Sequence, residues 1–547
     1  MVIRGRLAPW VRERAVWLAL GAVVLVYVTT RLALVWRFPV FSDEAAYAGW
    51  AQRVHDSASD RFVSLANGKE PLLPWLGAVL IWLRVGAITS LRLISVLSGL
   101  VSLSVAVLLA RRLGGAWAGV VAAAVYALLP LFVVHDVLGL MEPLLTATVM
   151  LSLYLTVRLA ERPRLDLAII LGLALGAGVL TKASGQLTVV LVGTGLVLLP
   201  WRSPEIRSRL SRFVGCIALA LLLCGVIHAV LKLSPLYYEQ AQIQKSAVAV
   251  RGFDAAFAHP LRWFDENWPG YQAALRGYLT IPIALLAVAG LVYGVLARAR
   301  LAIVIALWSL TALVADVLFG EAGYARYLLP AIAPLPVLVA HGALQLARSA
   351  RRVVPPSRYA LMAAAGVVLL VVAAPLYLTA SVLAGPATAR YPGLDDAQFV
   401  TGWTAGHPWT GAARELRLRA GGQKALVELG DLSSGVLTFD LMSDPNLTFA
   451  RYDQLGSQHA RFAVENGVPL PSDSGPGQLR VVWQEQRPRH GVTLRLYERG
   501  IVVEGRFVTT ADGLRSLIGG GDGAFDTYTR AHPAVRAWYE WFEAQIH

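Results

Sequence analysis

The stretch FSDEAAYAGWAQRV at 41–54 sets Asp43 and Glu44 side by side just after the first long apolar run. Lys69, Glu70, Arg92, Asp136, Glu142, Lys182, Asp316, Glu321 and Arg326 follow, each in or beside a loop or at the end of a later apolar run. Carboxylates can move protons and cations can hold an anion, and in a water-poor setting both act more strongly than in bulk. A plainer use competes with that one. Charged side chains at the ends of apolar helices reach out to water, and Ser42 or Asp43 can cap the helix that DEAAYAGWAQRV forms. Which reading applies depends on whether these charges share one side of a membrane.

The composition answers for the membrane. Of 547 residues, 56% are apolar and only 15% charged, with a mean hydropathy of +0.56, which suits a multi-spanning membrane protein rather than a soluble enzyme. Crossing about 30 Å of hydrocarbon takes roughly 17–25 mostly apolar residues. Eleven runs qualify, near 16–36, 91–110, 115–134, 138–158, 166–181, 184–200, 213–232, 277–297, 301–318, 327–347 and 359–381. The short apolar segment PLLPWLGAVLIWL at 71–83, with Trp75 and Trp82, decides the topology. If it stays at the surface, the N-terminus and the loops near 111–114, 158–165, 201–212, 298–300 and 348–358 share one side and gather 19 Lys+Arg there. By the positive-inside rule that side is cytoplasmic. The first run is then a retained anchor, the loops 37–90 and 233–276 face outward, and the charges named above collect at the outer face. Charges at such depth mark sites or pathways when they face a cavity.

The net charge of +14 does not point to nucleic acid, because from residue 383 onward 18 Asp+Glu outnumber 16 Lys+Arg and the surplus lies in the hydrophobic part. Cys216 and Cys224 sit inside one apolar run and read as small buried hydrophobes. After Ala384 the texture becomes turn-rich and polar, with strand-like ALVELG (425–430), LTFARY (447–452), LRVVWQE (479–485) and TLRLYERG (493–500), then a helical HPAVRAWYEWFEAQ (532–545). The expected fold class is therefore a membrane all-α domain over 1–384, with about eleven transmembrane helices and interfacial helices in its first outer loop, plus a soluble α/β domain over 385–547. No Gly-x-Gly-x-x-Gly follows a strand, IGGGDG at 518–523 reads as a turn, and NLT at 446–448 is too short a match to carry weight. No inverted repeat points to a secondary transporter.

Six blocks in order carry a resemblance: the Asp43-Glu44 pair with NGKEPLLPWLGAVL (67–80), SLRLISVLSGLVSLSVAVLLARRLGG (90–115), LMEPLLTATVMLSLYL (140–155), GLALGAGVLTKASG (172–185) and YARYLLPAIAPLPVLVA (324–340). The chain resembles GT-C membrane glycosyltransferases, and within them the branch of protein O-mannosyltransferases and lipid A aminoarabinose transferases. That resemblance implies transfer of a sugar from a polyprenyl-phosphate carrier to an acceptor on the outer face, with inversion at the anomeric carbon. It implies Asp43 as general base, with Glu44 as an acceptor-orienting or structural partner, and Lys69, Arg92, Lys182 and Arg326 around the donor phosphate. Glu70, where the family more often has Pro or Lys-Pro, Glu142, where Asp is commoner, and Tyr327 are expected in the substrate pocket.

The chemistry suits these residue types. A hydroxyl acceptor needs a carboxylate to take its proton as the new bond forms, and an interfacial helix N-terminus favours the negative form of Asp43. The leaving phosphate gains charge, which cations stabilise, Arg by gripping two oxygens and Lys as a point charge. The expected partners are the polyprenyl-phosphate sugar donor, a glycan, lipid or protein acceptor and membrane lipids, with no nucleic acid. No His/Cys/carboxylate grouping has metal-ligand spacing, so no metal site or cofactor is required, although some relatives bind a divalent cation. Three rival readings stand beside this one: an oligosaccharide polymerase or ligase on the same scaffold, a lipid-linked sugar transporter, and an inactive glycan-binding relative whose C-terminal domain does the work.

Overall fold

The computed structural model describes residues 9–239, 257–258, 260–320, 322–353, 358–429, 436–437, 441, 444–451, 459–467, 470, 475–519 and 521–546. Glu321, one of the charges named above, lies outside them. The chain divides into two compact units, one of Met1–Phe38 with Tyr47–Asp395 and one of Pro39–Ala46 with Asp396–His547. The division falls inside the helix Ser42–Asp56.

The described residues of the larger unit form helices joined by turns and short loops. Pro9–Val35, Ala87–Gly114, Met141–Glu161, Ile206–Ala229, Arg300–Phe319 and Arg358–Ala384 correspond to the longest apolar runs. Among the described residues, six helices are long and apolar enough to cross a membrane, and up to eight if each of two bent pairs counts as one span. The chain is thus a multi-pass membrane protein. The other runs are helical but shorter or interrupted. Ala116–Leu128 and Pro130–His135 are separated at Leu129, and Pro130 starts the second piece. A proline lacks the N–H that a continuing helix needs, and it biases the residue before it to extended backbone. Gln186–Leu191 and Gly195–Leu198 alternate with 3₁₀ turns. Leu261–Leu279 and Ile281–Leu296 meet at 89°, at Thr280, whose φ of 64° lies in the left-handed region. Ala325–Ile332 and Leu335–Val353 meet at 58°. Leu72–Trp82 has eleven residues, a helix of roughly 16 Å at 1.5 Å per residue and about half a hydrocarbon core.

Small residues bring these helices together, as expected where lipid removes the hydrophobic drive to associate. On Ile281–Leu296 and Leu335–Val353, a Cβ on Gly290 would overlap the carbonyl of Leu338, and one on Gly342 the carbonyl of Leu286. The first and last helices are also tied, since Arg37 donates from Nη1 to Leu383 O at 2.7 Å and from Nη2 to Ala384 O at 2.8 Å. A guanidinium there satisfies carbonyls left open at a helix C-terminus.

The smaller unit is built on a mixed sheet: β1 (Ala425–Leu429), β2 (Leu447–Arg451), β3 (Phe462–Asn466), β4 (Gln478–Gln486), β5 (Thr493–Val503) and β6 (Arg506–Val508). The order is β2-β1-β3-β5-β4, with β6 paired to β5. β1 runs parallel to β2 (Ala425 opposite Leu447) and to β3 (Val427 opposite Phe462), whereas β5 is antiparallel to β3 and β4. Four of these strands coincide with the strand-like segments of the sequence. The central β3 is buried along its whole length, so it lacks the alternation by which a half-exposed strand is recognised. Trp409 and Leu416 of the helix Trp409–Ala420 pack against Val427, Phe462, Val464, Leu494 and Leu496, and Ala45 joins the same core from 350 residues earlier in the chain. The terminal helix Pro533–Ile546 adds Trp538 and Phe542 to a second cluster with Ile501, Val503 and Leu514.

The close approach at Gly342 yields a test. Gly342→Ala should lower the thermal unfolding midpoint of the detergent-solubilised protein, at a cost of roughly 1–3 kcal/mol for overpacking. Gly366→Ala, where an added Cβ meets nothing within 4 Å, should leave it unchanged. Equal midpoints for the two variants would refute the crossing.

Candidate functional site

Glu142 lies in the first turn of Met141–Glu161, where free amides favour a carboxylate. Lys182 directly follows Leu165–Thr181, at the helix end that favours a cation. The turn that carries it is tight: Gly185 N donates to Lys182 O at 2.8 Å, and a Cβ on Gly185 would overlap the carbonyl of Gly178. Arg326 and Tyr327 come from the 3₁₀ turn Ala325–Leu328.

These side chains converge. Lys182 Nζ donates to Glu142 Oε1 at 2.7 Å, and Arg326 Nε stands 4.0 Å from the same oxygen. Glu142 and Arg326 are 5% and 8% exposed, so the carboxylate has left water and depends on the two cations for its charge. Lys182 Nζ lies 4.1 Å from the Tyr327 ring centroid, and Arg326 Cζ lies 5.2 Å from that of Tyr324 and 5.3 Å from that of Tyr327. Ring faces hold cations without neutralising them. Glu142 Oε2 is buried with no hydrogen-bond donor, an acceptor open to a hydroxyl or water. Asp316, near the end of Arg300–Phe319, lies within electrostatic reach of Lys182 and Glu142, and Asn267 pins that helix end by donating to Val317 O at 2.8 Å and Gly320 O at 2.7 Å.

Glu70 joins this group from the turn before Leu72–Trp82. Burial pushes its carboxyl up to about 7, opposed by its own amide, by Lys69 and Lys182, and by the amide of Ala183. It can therefore carry a proton near neutrality, and then leaves the positive charge of Lys69 and Lys182 uncancelled. Lys182 and Arg326 both face the one carboxylate of Glu142, a pairing of two cations that suits an added anion.

Arg92 is engaged at the end of the first helix. It is 2% exposed, and Nη1 donates to Val35 O at 2.6 Å and Phe38 O at 2.9 Å, closing the end of the first helix. Asp43 and Glu44 are counted with the smaller unit. Glu44 is fully buried and its Oε2 accepts from Phe41 N at 2.9 Å, the reach-back of a capping box. Asp43, next to it, is half-buried. Tyr324 is the member that sequence reasoning passed over; its signal was the aromatic spacing of YARY. Among the described residues, no three His, Cys, Asp or Glu side chains are placed to hold one metal ion.

Comparisons with known proteins agree with this architecture. Residues 68–228 match the family described as Dolichyl-phosphate-mannose-protein mannosyltransferase, a span that contains Lys69, Glu70, Arg92, Glu142 and Lys182. No curated protein matches the chain by sequence. ArnT from Cupriavidus metallidurans in the apo state is similar in structure, with a TM-score of 0.56 and 17% identity over 89% of this chain and 98% of ArnT. The same ArnT bound to undecaprenyl phosphate gives 0.53 and 18% over 88% and 97%. The Archaeoglobus fulgidus oligosaccharyltransferase tethered with an acceptor peptide gives 0.53 and 11% over 84% and 70%. All are GT-C proteins, and at these identities the likeness is one of fold.

The raised Glu70 carboxyl predicts a pH dependence. The folded chain holds this proton more tightly than the unfolded one, so the contribution to stability is complete below about 4.5 and is lost as pH rises through about 7. The loss amounts to roughly 3 kcal/mol. Glu70→Gln should remove that component, so that the thermal midpoints of wild type and variant diverge in the variant's favour from pH 5 to pH 8. Parallel curves would show that Glu70 titrates normally.

Proposed function

We propose that this chain, which has the GT-C fold, is a membrane glycosyltransferase that moves a sugar from a polyprenyl-phosphate donor to a hydroxyl acceptor on the outer face of the membrane. The observation that carries the reading is the convergence of two cations on the one carboxylate of Glu142. Lys182 and Arg326 share one carboxylate in an apolar bundle, and a phosphate held there in a water-poor setting would match the remaining positive charge. The family match over 68–228 and the undecaprenyl phosphate held by ArnT support the same ligand class.

In this reading the donor phosphate is held by Lys69, Lys182 and Arg326, while the two tyrosine faces and Glu142 Oε2 meet the sugar. The acceptor oxygen attacks the anomeric carbon as its proton passes to Asp43, and the electron pair of the broken carbon–oxygen bond stays with the polyprenyl phosphate. Attack opposite the leaving group inverts the anomeric centre. Glu44 fixes the helix turn that presents Asp43, and Arg92 acts on the framework, closing the first helix. The eleven-span topology with a cytoplasmic N-terminus and an outer C-terminal unit belongs to this proposal and rests on the distribution of Lys and Arg.

Purified protein incubated with a panel of polyprenyl-phosphate monosaccharides, followed by mass spectrometry, should consume one of them. Asp43→Asn should slow that transfer at least about 100-fold, as expected for loss of a general base, with donor binding retained. Lys69→Ala should weaken donor binding at unchanged folding. Full activity in Asp43→Asn would end the proposed mechanism, and consumption of only oligosaccharide-linked carriers would favour the polymerase or ligase reading.

A further inference from the structure

A second group of cations lies away from the cluster around Glu142 and takes no part in the proposed reaction. The start of Pro9–Val35, the end of Ala87–Gly114, the start of Ala116–Leu128 and the end of Leu335–Val353 enclose a cavity of about 840 Å³. Its charged lining is Arg111, Arg348 and Arg351 with Glu13, and its aromatic lining is Trp17 and Trp117. Arg348 and Arg351, one turn apart, point the same way from one helix. Arg111 Cζ lies 5.4 Å from the Trp17 ring centroid, a stacking that leaves the edge of the guanidinium able to grip an oxyanion.

Arginines at helix ends commonly just reach water, and three observations separate this group from that case. Neighbouring arginines are matched by carboxylates: Arg112 with Glu161 at 2.7 Å, Arg158 with Glu161 at 3.6 Å and Arg164 with Asp166 at 2.7 Å. Among the described residues, Arg111, Arg348 and Arg351 have no carboxylate within 4.0 Å, so the cavity keeps three positive charges against one negative. Both tryptophans remain open, at 57% and 46% exposed, as suits side chains that settle at the headgroup level of a bilayer. One turn deeper on the face of Leu344 and Arg348, His341 is 4% exposed and both its ring nitrogens are without a hydrogen-bond partner.

We infer that this cavity binds the phosphate-bearing headgroup of an anionic membrane lipid. The guanidiniums grip phosphate oxygens, the indoles flank the glycerol and upper acyl region, and basic recesses between membrane helices are suited to such headgroups. The volume favours a lipid over a free ion, since it lies within the roughly 300–1,000 Å³ of sites for larger ligands. The inference rests on the membrane setting alone and stands or falls apart from glycosyl transfer.

Native mass spectrometry of the full chain in a neutral detergent, titrated with phosphatidylglycerol, phosphatidylcholine or inorganic phosphate, tests it. Phosphatidylglycerol should bind wild type roughly tenfold or more tightly than the R111Q/R348Q/R351Q variant. A variant of equal charge change, R202Q/R207Q/R209Q, should bind as wild type does. Glu13→Gln, which removes the opposing charge and leaves the arginines in place, should tighten binding about two- to threefold and serves if the triple variant does not fold. Equal losses in both triple variants would reduce the effect to general attraction by a basic face and overturn the site. So would phosphatidylcholine binding as tightly as phosphatidylglycerol, or weaker binding in Glu13→Gln. Inorganic phosphate binding as tightly as the lipid would overturn the lipid assignment in favour of a free anion.

Discussion

An ionised carboxylate buried in an apolar helical bundle must be matched on the spot, and at Glu142 the match comes from chain segments far apart in sequence. Lys182 is 40 residues on, and Arg326 comes from the 3₁₀ turn Ala325–Leu328 much later in the chain. Removing the Glu142 carboxylate would leave both cations without the counter-charge they share, at a cost of order 3–5 kcal/mol when a buried pair is broken. The arrangement is therefore part of the framework, and in the proposed reading it is also the surface that meets the donor phosphate. The Tyr324 and Tyr327 rings lie beside its two cations and ease their proximity.

The same unit holds a second buried polar network on which its packing depends. Tyr27 donates to Val96 O at 2.9 Å and to Asp136 Oδ2 at 3.1 Å, and Arg31 Nη2 stands 4.0 Å from that oxygen. Next in the chain, His135 Nε2 lies 3.2 Å from Asp395 Oδ2, to which Tyr278 donates at 2.7 Å. The segment around His135 and Asp136 is thereby linked to the first helix on one hand and to the last residue of the unit on the other. Asp136 was conspicuous in the sequence as a charge at the end of an apolar run, yet its bonds are to neighbouring helices, which shows why a charge at membrane depth does not by itself identify a reaction centre.

Much of the architecture was legible because apolar runs of spanning length leave few alternatives in a bilayer. All eleven runs are helical, and Leu72–Trp82 is as short as its apolar stretch suggested. The breaks were less visible. Pro130 signals one, but the turn at Thr280 occupies a backbone conformation that threonine's own preferences oppose, so tertiary packing must impose it. Of the residues singled out as ionisable, Glu70, Glu142 and Lys182 with Arg326 and Tyr327 form one group, a convergence that spacing alone could not give. Arg92 and Glu44 look alike on paper with Lys182 and Asp43, and only geometry reveals that they satisfy backbone groups. Strand β3 was missed because burial on both faces erases the period-two pattern.

Pro39–Ala46 completes the core beside Trp409, and Val40 lies so close to Gly406 that no side chain fits there. The ribosome makes this segment about 350 residues before the remainder of its unit. At about 5–20 residues per second it waits some tens of seconds for its partners. Most of the bilayer-embedded helices are synthesised in that interval, so the last unit to emerge cannot mature as an independent appendage. Its assembly is scheduled by the membrane region, and cutting the gene at the apparent junction would deprive it of its earliest-made piece.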